Sequence, residues 1–122
     1  MTCQVDREGL SIRAEVTPVG SDLLVLVTGG EAHIGSVSIA TPRPSLAAPA
    51  DISATVSTFC YPSHKDNHVG NRIAEALSAG QEKKVVVVCG VHYDNISGEQ
   101  IGTVLSMTEE LLEKLLDGLA AG

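Results

Sequence analysis

From Leu10 to Val16, the apolar residues Leu10, Ile12, Ala14 and Val16 alternate with Ser11, Arg13 and Glu15. This period of two is that of a strand with one buried face. Pro18, Gly20 and Ser21 mark a turn. The unbroken apolar run 23–27 then predicts a strand in the middle of a sheet. Gly29 and Gly30 permit a reversal, after which 33–40 returns with Gly35, Val37 and Ile39 on one face and Ser36 and Ser38 on the other. These three segments read as an antiparallel meander.

The segment 41–51 carries Pro42, Pro44 and Pro49 without periodicity and reads as a linking loop. A fourth strand over 52–58 alternates Ile52, Ala54, Val56 and Thr58 with Ser53, Thr55 and Ser57. Its polar face, like that of the strand before it, is made of small hydroxyl residues. That suits a solvated antiparallel sheet, or a flat surface that a ligand or partner covers. Ser63 with Asp66 resembles a capping box, and Val69, Ile73, Ala76 and Leu77 recur at helical spacing until Gly80, predicting a helix over 64–79. The valine run 85–89 reads as a strand buried on both faces and ended by Gly90. Ser97 and Gln100 form a second capping box, and an apolar stripe from Ile101 to Leu119 predicts a final helix over 98–119. The expected fold is α+β: a mostly antiparallel sheet of about five strands in the order β-β-β-β-α-β-α, with two helices packed on one face. At 122 residues the chain is expected to form one domain, 1–122.

Charge narrows the partners. A net charge of −7 and a pI near 4.9 argue against a nucleic-acid surface, which needs a basic face. Phe59, Tyr61 and Tyr93 are too few for a base-stacking platform, yet all three flank histidine-bearing corners, where a planar ligand can use them; core and rim packing accounts for them equally well. No apolar run reaches membrane-spanning length and the first ten residues lack a signal-peptide core, so the expected location is cytoplasmic, with no membrane partner. Cys3, Cys60 and Cys89 are odd in number and show no CxxC spacing, which points to neither a disulfide framework nor a zinc knuckle.

Two corners carry the candidate chemistry. His64 and Lys65 fall in the first turn of the predicted helix, where unpaired N–H groups and the helix dipole favour negative charge. Cations there suit a bound phosphate or carboxylate, unless the turn is merely solvated and Asp66 offsets them. The second corner is the loop Gly90-Val-His92-Tyr93-Asp94, at a strand end where sites concentrate. Cys60, four residues before His64, offers only a loose nucleophile pairing. His64 and His68 share a helix face at i, i+4 and His33 or His92 can complete three metal ligands, but Lys65 replaces the glutamate of an HExxH site and its charge opposes a cation, so no metal site is assigned. There is no Gly-X-Ser-X-Gly, no phosphate-cradling glycine loop and no defended carboxylate pair, and an enzyme is not expected.

The blocks GGEAHIGSVSIA, PSHKDNHVGNRIAEAL and VVVVCGVHYDNISGEQI, in this order, resemble the LpdD-like family of prenylated-flavin chaperones, the small subunits associated with gallate and other UbiD-type decarboxylases. The resemblance implies a fold similar to proteasome assembly chaperones and a homodimer. It also implies a non-catalytic chaperone that holds or delivers prenylated FMN, or FMN, to a UbiD-type decarboxylase. His33, Gly35, His64, Lys65, Asp66, Gly90 and His92 are the positions that match its motifs, with His33, Gly35, His64, Lys65, Gly90 and His92 expected to bind the flavin. On that view Lys65, His64 and the helix N–H groups take the phosphate, and His33 and His92 meet the ring system. The competing reading is a ligand-free scaffold or assembly protein that uses the sheet face or the leucine stripe.

Overall fold

A computed structural model describes residues 1–62 and 67–121. Among them the chain forms β1 (Thr2–Arg7), β2 (Leu10–Val19), β3 (Asp22–Gly30), β4 (Ser36–Pro44), β5 (Ile52–Cys60), α1 (Asn67–Gln81), β6 (Val85–His92) and α2 (Gly98–Ala121). The expected α+β class holds, with six strands where about five were expected. The additional strand is β1, whose Cys3 and Val5 alternate with Thr2, Gln4 and Asp6 and whose turn is closed by positive φ at both Glu8 and Gly9. That is the backbone of a primed hairpin turn, made here without the Asn-Gly signature that announces one.

The sheet order is β1-β2-β3-β6-β4-β5. The meander expected of β2, β3 and β4 therefore stops at β3. β6 lies between β3 and β4, parallel to the first (Leu23 beside Val85) and antiparallel to the second (Ala40 beside Val85). Its wholly apolar sequence suits the middle position. Gly90 does not end it, because the parallel ladder continues through Thr28 beside Gly90 and Gly30 beside His92. The linking loop is also shorter than expected, reduced to 45–51: β4 continues through Pro42 and Pro44. It can do so because β6 pairs only as far as Ala40, which leaves β4 with a neighbour on one side, where a missing N–H is tolerated.

Both helices cover one face, which buries Ile12, Ala14, Val25, Val27, Val85, Val87 and Cys89 against Ile73, Leu77, Met107, Leu111 and Leu115. The other face is open, so β6 is covered on one side and not on both: Val86 and Val88 are half-buried. β4 turns its residues the opposite way from the simple expectation. Ser36 and Ser38 are fully buried under α1, whereas Ile39 is exposed. The small-hydroxyl face is accordingly split, since Ser38 pairs with Thr58 on the helix side while Thr55 and Ser57 stand on the open side. The cause is α1. At Gly70 the helix comes so close that a Cβ would stand 3.1 Å from Ser38 Oγ and 3.3 Å from Cys89 Cβ, and residues larger than serine do not fit beneath it. Asn71 then accepts hydrogen bonds from Ser38 Oγ, at 2.7 Å, and from Thr58 Oγ1, tying α1 to two strands.

α1 runs past Gly80 to Gln81 and closes on Glu82 in the left-handed region at φ 52°, with Ser78 Oγ donating to Lys83 O at 2.7 Å. Gly80 serves packing instead: a Cβ there would stand 3.0 Å from Leu116 Cδ2 of α2. The expected box at the start of α2 is present, with Gln100 N–H donating to Ser97 Oγ at 3.1 Å and Ser97 N–H to Gln100 Oε1 at 2.9 Å. The box at Ser63 and Asp66 lies outside the described residues. α2 buries Val104, Met107, Thr108, Leu111, Leu112 and Leu115, but Ile101 and Leu105, expected in its stripe, stay exposed. Arg72 of α1 grips Glu109 of α2 with two bonds of 2.9 Å. That bidentate hydrogen bond holds the Glu109 carboxyl below its ordinary value.

Two outcomes are expected. Among the described residues Ser36 Oγ is buried without a hydrogen-bond partner, and Ser38 Oγ has one. Ser36→Ala should leave stability unchanged or raise it by up to ~1 kcal/mol, and Ser38→Ala should lower it by about 1 kcal/mol, in urea unfolding. A folded-state carboxyl pKa below the unfolded one stabilises above the unfolded value and loses that contribution as pH falls through the folded value. The wild type should therefore lead Glu109→Gln by about 0.5 kcal/mol at neutral pH, a figure reduced for an exposed pair, and the difference should shrink on acidification and vanish once the carboxyl is protonated in the folded state as well.

Candidate functional site

The ends of β3 and β6, the start of β4 and the end of β5 meet at one end of the sheet. There the chain leaves β3 at Gly30, whose φ of 64° lets it turn back over β6. The close approach needs glycine at two positions. A Cβ at Gly90 would collide with the His33 carbonyl, and one at Gly30 with the His92 carbonyl. Three backbone bonds of 2.9 Å fix the crossing: Glu31 N–H to His92 O, Gly35 N–H to Cys89 O, and Tyr61 N–H to Gly35 O.

This crossing brings four of the six expected residues together. His33, Gly35, Gly90 and His92 are within one corner, and the His33 and His92 rings stand edge to face with centroids 6.2 Å apart. His33 is half-buried, His92 is exposed, and both glycines are buried. His33 Nδ1 lies 3.0 Å from the Glu31 carbonyl, an acceptor, so Nδ1 carries the proton in that bond. His92 Nε2 lies 2.9 Å from Asp94 Oδ1, likewise as the donor. Gly90 lets the His33 backbone lie over β6, and Gly35 joins the corner through its backbone bonds to Cys89 and Tyr61.

His64 and Lys65, with Asp66, lie outside the described residues. Their flanks are fixed at this same end of the sheet. Tyr61 bonds to Gly35 before them, and Gly70 after them packs on Ser36 and Cys89, the neighbours of Gly35 and Gly90. Alternation along β6 places Val88, Gly90 and His92 on the open face and Val87 and Cys89 under α1. The other candidate residues separate. Tyr93 is a structural tie, its hydroxyl donating to Ser11 O and accepting from Ser11 N–H, each at 2.6 Å. Phe59 and Tyr61 remain exposed at the corner's margin, their rings edge to face at 5.0 Å. His68 is exposed on α1.

Sequence reading missed Glu31. Its carboxylate, with His92 and Asp94, offers three ligand atoms within 4.8 Å of one another. The acid lies 61 positions before His92 in the chain, and only the parallel β3-β6 pairing, unseen in the sequence, brings them together. All three side chains are exposed, and His92 and Asp94 already satisfy each other. A shallow cavity of about 350 Å³ lies at the opposite end of the sheet beside Ser21, Thr41, Lys83 and Lys84. Asp22 and Glu82 line it too and balance its lysines, and none of the corner residues reaches it.

Known proteins bear on this geometry. A chain from a chaperone complex for yeast 20S proteasome assembly superposes with a TM-score of 0.56 over 99% of this chain and 94% of its own, at 11% identity. That likeness establishes the shared fold alone. Protein LpdD of Lactiplantibacillus plantarum is 29% identical over 126 residues, covering 98% of this chain and 85% of that protein. The family described as Prenylated flavin chaperone LpdD-like domain matches residues 6–120, which takes in the end of β1, all of β2 to β6 and α1, α2 up to its last residue, and the whole corner. The chain therefore belongs to the LpdD-like chaperone family.

Proposed function

We propose that this protein is a non-catalytic cytoplasmic carrier that binds prenylated FMN, or FMN, and assists a UbiD-type decarboxylase. The observation that carries the reading is the convergence at one end of the sheet. His33 and His92 form a pair 6.2 Å apart, and both flanks of the His64-Lys65 segment are anchored beside them through Gly35, Ser36 and Cys89. Membership of a family described by prenylated flavin supports it.

In this reading Lys65, His64 and the first N–H groups of α1 take the phosphate, a role that suits a cation and unpaired donors. The ring nitrogens of His33 and His92 that are not engaged by Glu31 and Asp94 meet the polar edge of the flavin ring as acceptors, and the exposed Phe59-Tyr61 pair supplies aromatic surface to its plane. Gly35 and Gly90 keep side chains out of the way. His92, Phe59 and Tyr61 are exposed at the corner, and that suits a protein that must give its ligand up. A cargo half in solvent has fewer contacts to break than one enclosed, so release is faster. No nucleophile, base or metal is needed for holding and handing over. The identity of the served decarboxylase and its substrate is left to experiment. The exposed apolar residues of the open sheet face favour a second reading, an assembly protein that binds only another protein.

Titration of the purified protein with FMN and with prenylated FMN, followed by flavin fluorescence and calorimetry, separates the two readings. The wild type should bind saturably. Lys65→Ala should weaken binding by roughly 1.5 to 3 kcal/mol, the scale of a hydrogen bond involving a charged group, and His92→Ala by roughly 0.5 to 1.5 kcal/mol, the scale of a neutral one, while leaving the circular dichroism spectrum unchanged. Failure of the wild type to bind either flavin sinks the carrier reading. Pull-down of a decarboxylase by a Lys65→Ala variant that no longer binds flavin supports it, because partner recognition and cargo binding then separate.

A further inference from the structure

Five consecutive apolar residues stand exposed on one loop. β4 and β5 continue for four residue pairs, from Thr41 beside Thr55 to Pro44 beside Ile52, past Ala40, where β6 stops pairing with β4. They form a two-stranded arm at the end of the sheet away from the histidine corner. Its tip is Leu46-Ala47-Ala48-Pro49-Ala50, exposed throughout. Leu46 is 90% exposed, whereas the next of the large apolar side chains, Ile34 and Phe59, stand at 59%. A single exposed leucine needs no explanation, but an uninterrupted apolar run at a loop tip marks a contact surface.

The tip is held in shape. Ser45 N–H donates to Asp51 O at 2.9 Å, and Asp51 N–H donates to Ala48 O at 2.8 Å, closing a turn with Pro49 in its second position. Ala48 N–H donates to Ser45 Oγ at 3.3 Å. Below the tip Arg43 ties the two strands, with Nε donating to Thr55 Oγ1 at 2.8 Å and Nη1 to Pro44 O at 3.2 Å. Pro42, Pro44 and Pro49 lock three φ angles. A loop already ordered gives up little conformational freedom on binding, so burial of its leucine appears as affinity.

Shape and charge indicate what receives it. A projecting leucine fits a pocket, and that pocket must be apolar. The cavity beside the base of the arm is lined by Asp22, Glu82, Lys83 and Lys84, so a second copy offers no such seat there. A knob entering an identical chain also makes a head-to-tail contact, which runs on into filaments unless it closes in a ring. A membrane is unsuitable as well. Between 41 and 55 the charged residues are Arg43 and Asp51, one of each sign, and the chain carries −7, whereas segments that settle on anionic lipid surround their apolar residues with lysine and arginine. What remains is a concave apolar site on a different protein.

We propose that the 41–55 arm is the docking element for the protein this chain assists, with Leu46 inserted as an anchor into an apolar pocket of a UbiD-type decarboxylase. The identity of that partner rests on the carrier reading. Nine residues of β4 at about 3.4 Å each put the tip roughly 30 Å from Gly35. A partner gripped there leaves His33 and His92 uncovered, so partner and flavin can be held at once.

The test is calorimetric titration of a purified UbiD-type apo-decarboxylase with the full chain, as wild type, Leu46→Glu and Leu105→Glu. The last is a control of equal charge change on the exposed side of α2. Leu46 is so exposed that it contributes little to the fold, and circular dichroism should be unchanged. Leu46→Glu should weaken decarboxylase binding by about thirtyfold or more, as for a buried anchor, and Leu105→Glu should leave it unchanged. All three should bind FMN alike. Decarboxylase binding by Leu46→Glu equal to that of the wild type overturns the proposal and leaves the carrier reading standing. In that event, sedimentation or binding to phosphatidylglycerol vesicles that changes with Leu46→Glu identifies a second copy or a membrane as the occupant. An equal loss in Leu105→Glu overturns it too, since the effect then follows charge and not place. A wild type that binds FMN but no decarboxylase overturns the partner and the docking role together. A wild type that binds the decarboxylase through Leu46 but no flavin supports the arm and overturns the carrier reading alone.

Discussion

β6 holds the sheet together. Among the described residues the strands β1-β2-β3 and β4-β5 have no pairing with each other, and their common neighbour is the run Val85–His92. That run satisfies two constraints at once, a parallel ladder to β3 and an antiparallel ladder to β4. Its alternate residues Val85, Val87 and Cys89 supply the middle of the core, beneath α1. Every other feature follows from this insertion, including which ends meet and which face stays bare.

The histidine corner is a product of the same pairing. Parallel strands place their carboxyl ends together, so Gly30 and His92 finish side by side and the chain leaving β3 must cross β6 to reach β4. Glycine at Gly30 and Gly90 permits the crossing at van der Waals distance, and the backbone bonds among Glu31, Gly35, Cys89, His92 and Tyr61 make it rigid. A loop held in this way presents His33 and His92 from a fixed frame, although it belongs to no regular element.

Much of this was legible in the residues. Alternation located β2 and β5, the apolar runs located β3 and β6, and the Ser97-Gln100 box located α2, because each signal is local and each local preference agrees with the fold. What could not be read was the neighbour of each strand. Gly29-Gly30 looks like a hairpin reversal, and nothing nearby reports that a strand beginning 55 residues after Gly30 takes the place beside it. The inward turn of Ser36 and Ser38 was hidden for a related reason. Burial preference would put Val37 and Ile39 inside, but the approach of α1 at Gly70, thirty-odd residues away in sequence, overrides it. Of the candidate site, the structure brings His33, Gly35, Gly90 and His92 into one corner, a proximity that no local pattern in the sequence reports. Glu31 was missed because an exposed acid at a turn has no pattern of its own.

The late position of β6 also governs how the chain must assemble. Leaving the ribosome from its N-terminus, it emerges with β1-β2-β3 able to pair early, while the edge of β3 and the apolar faces of both hairpins wait for a strand made more than fifty residues later. Contacts of such separation form slowly, since a long loop must close before any of them is gained. During that interval Leu23 to Val27 is an unpaired apolar edge, the kind of surface that joins other chains. A helper of other proteins thus passes, in its own synthesis, through the state from which helpers are needed.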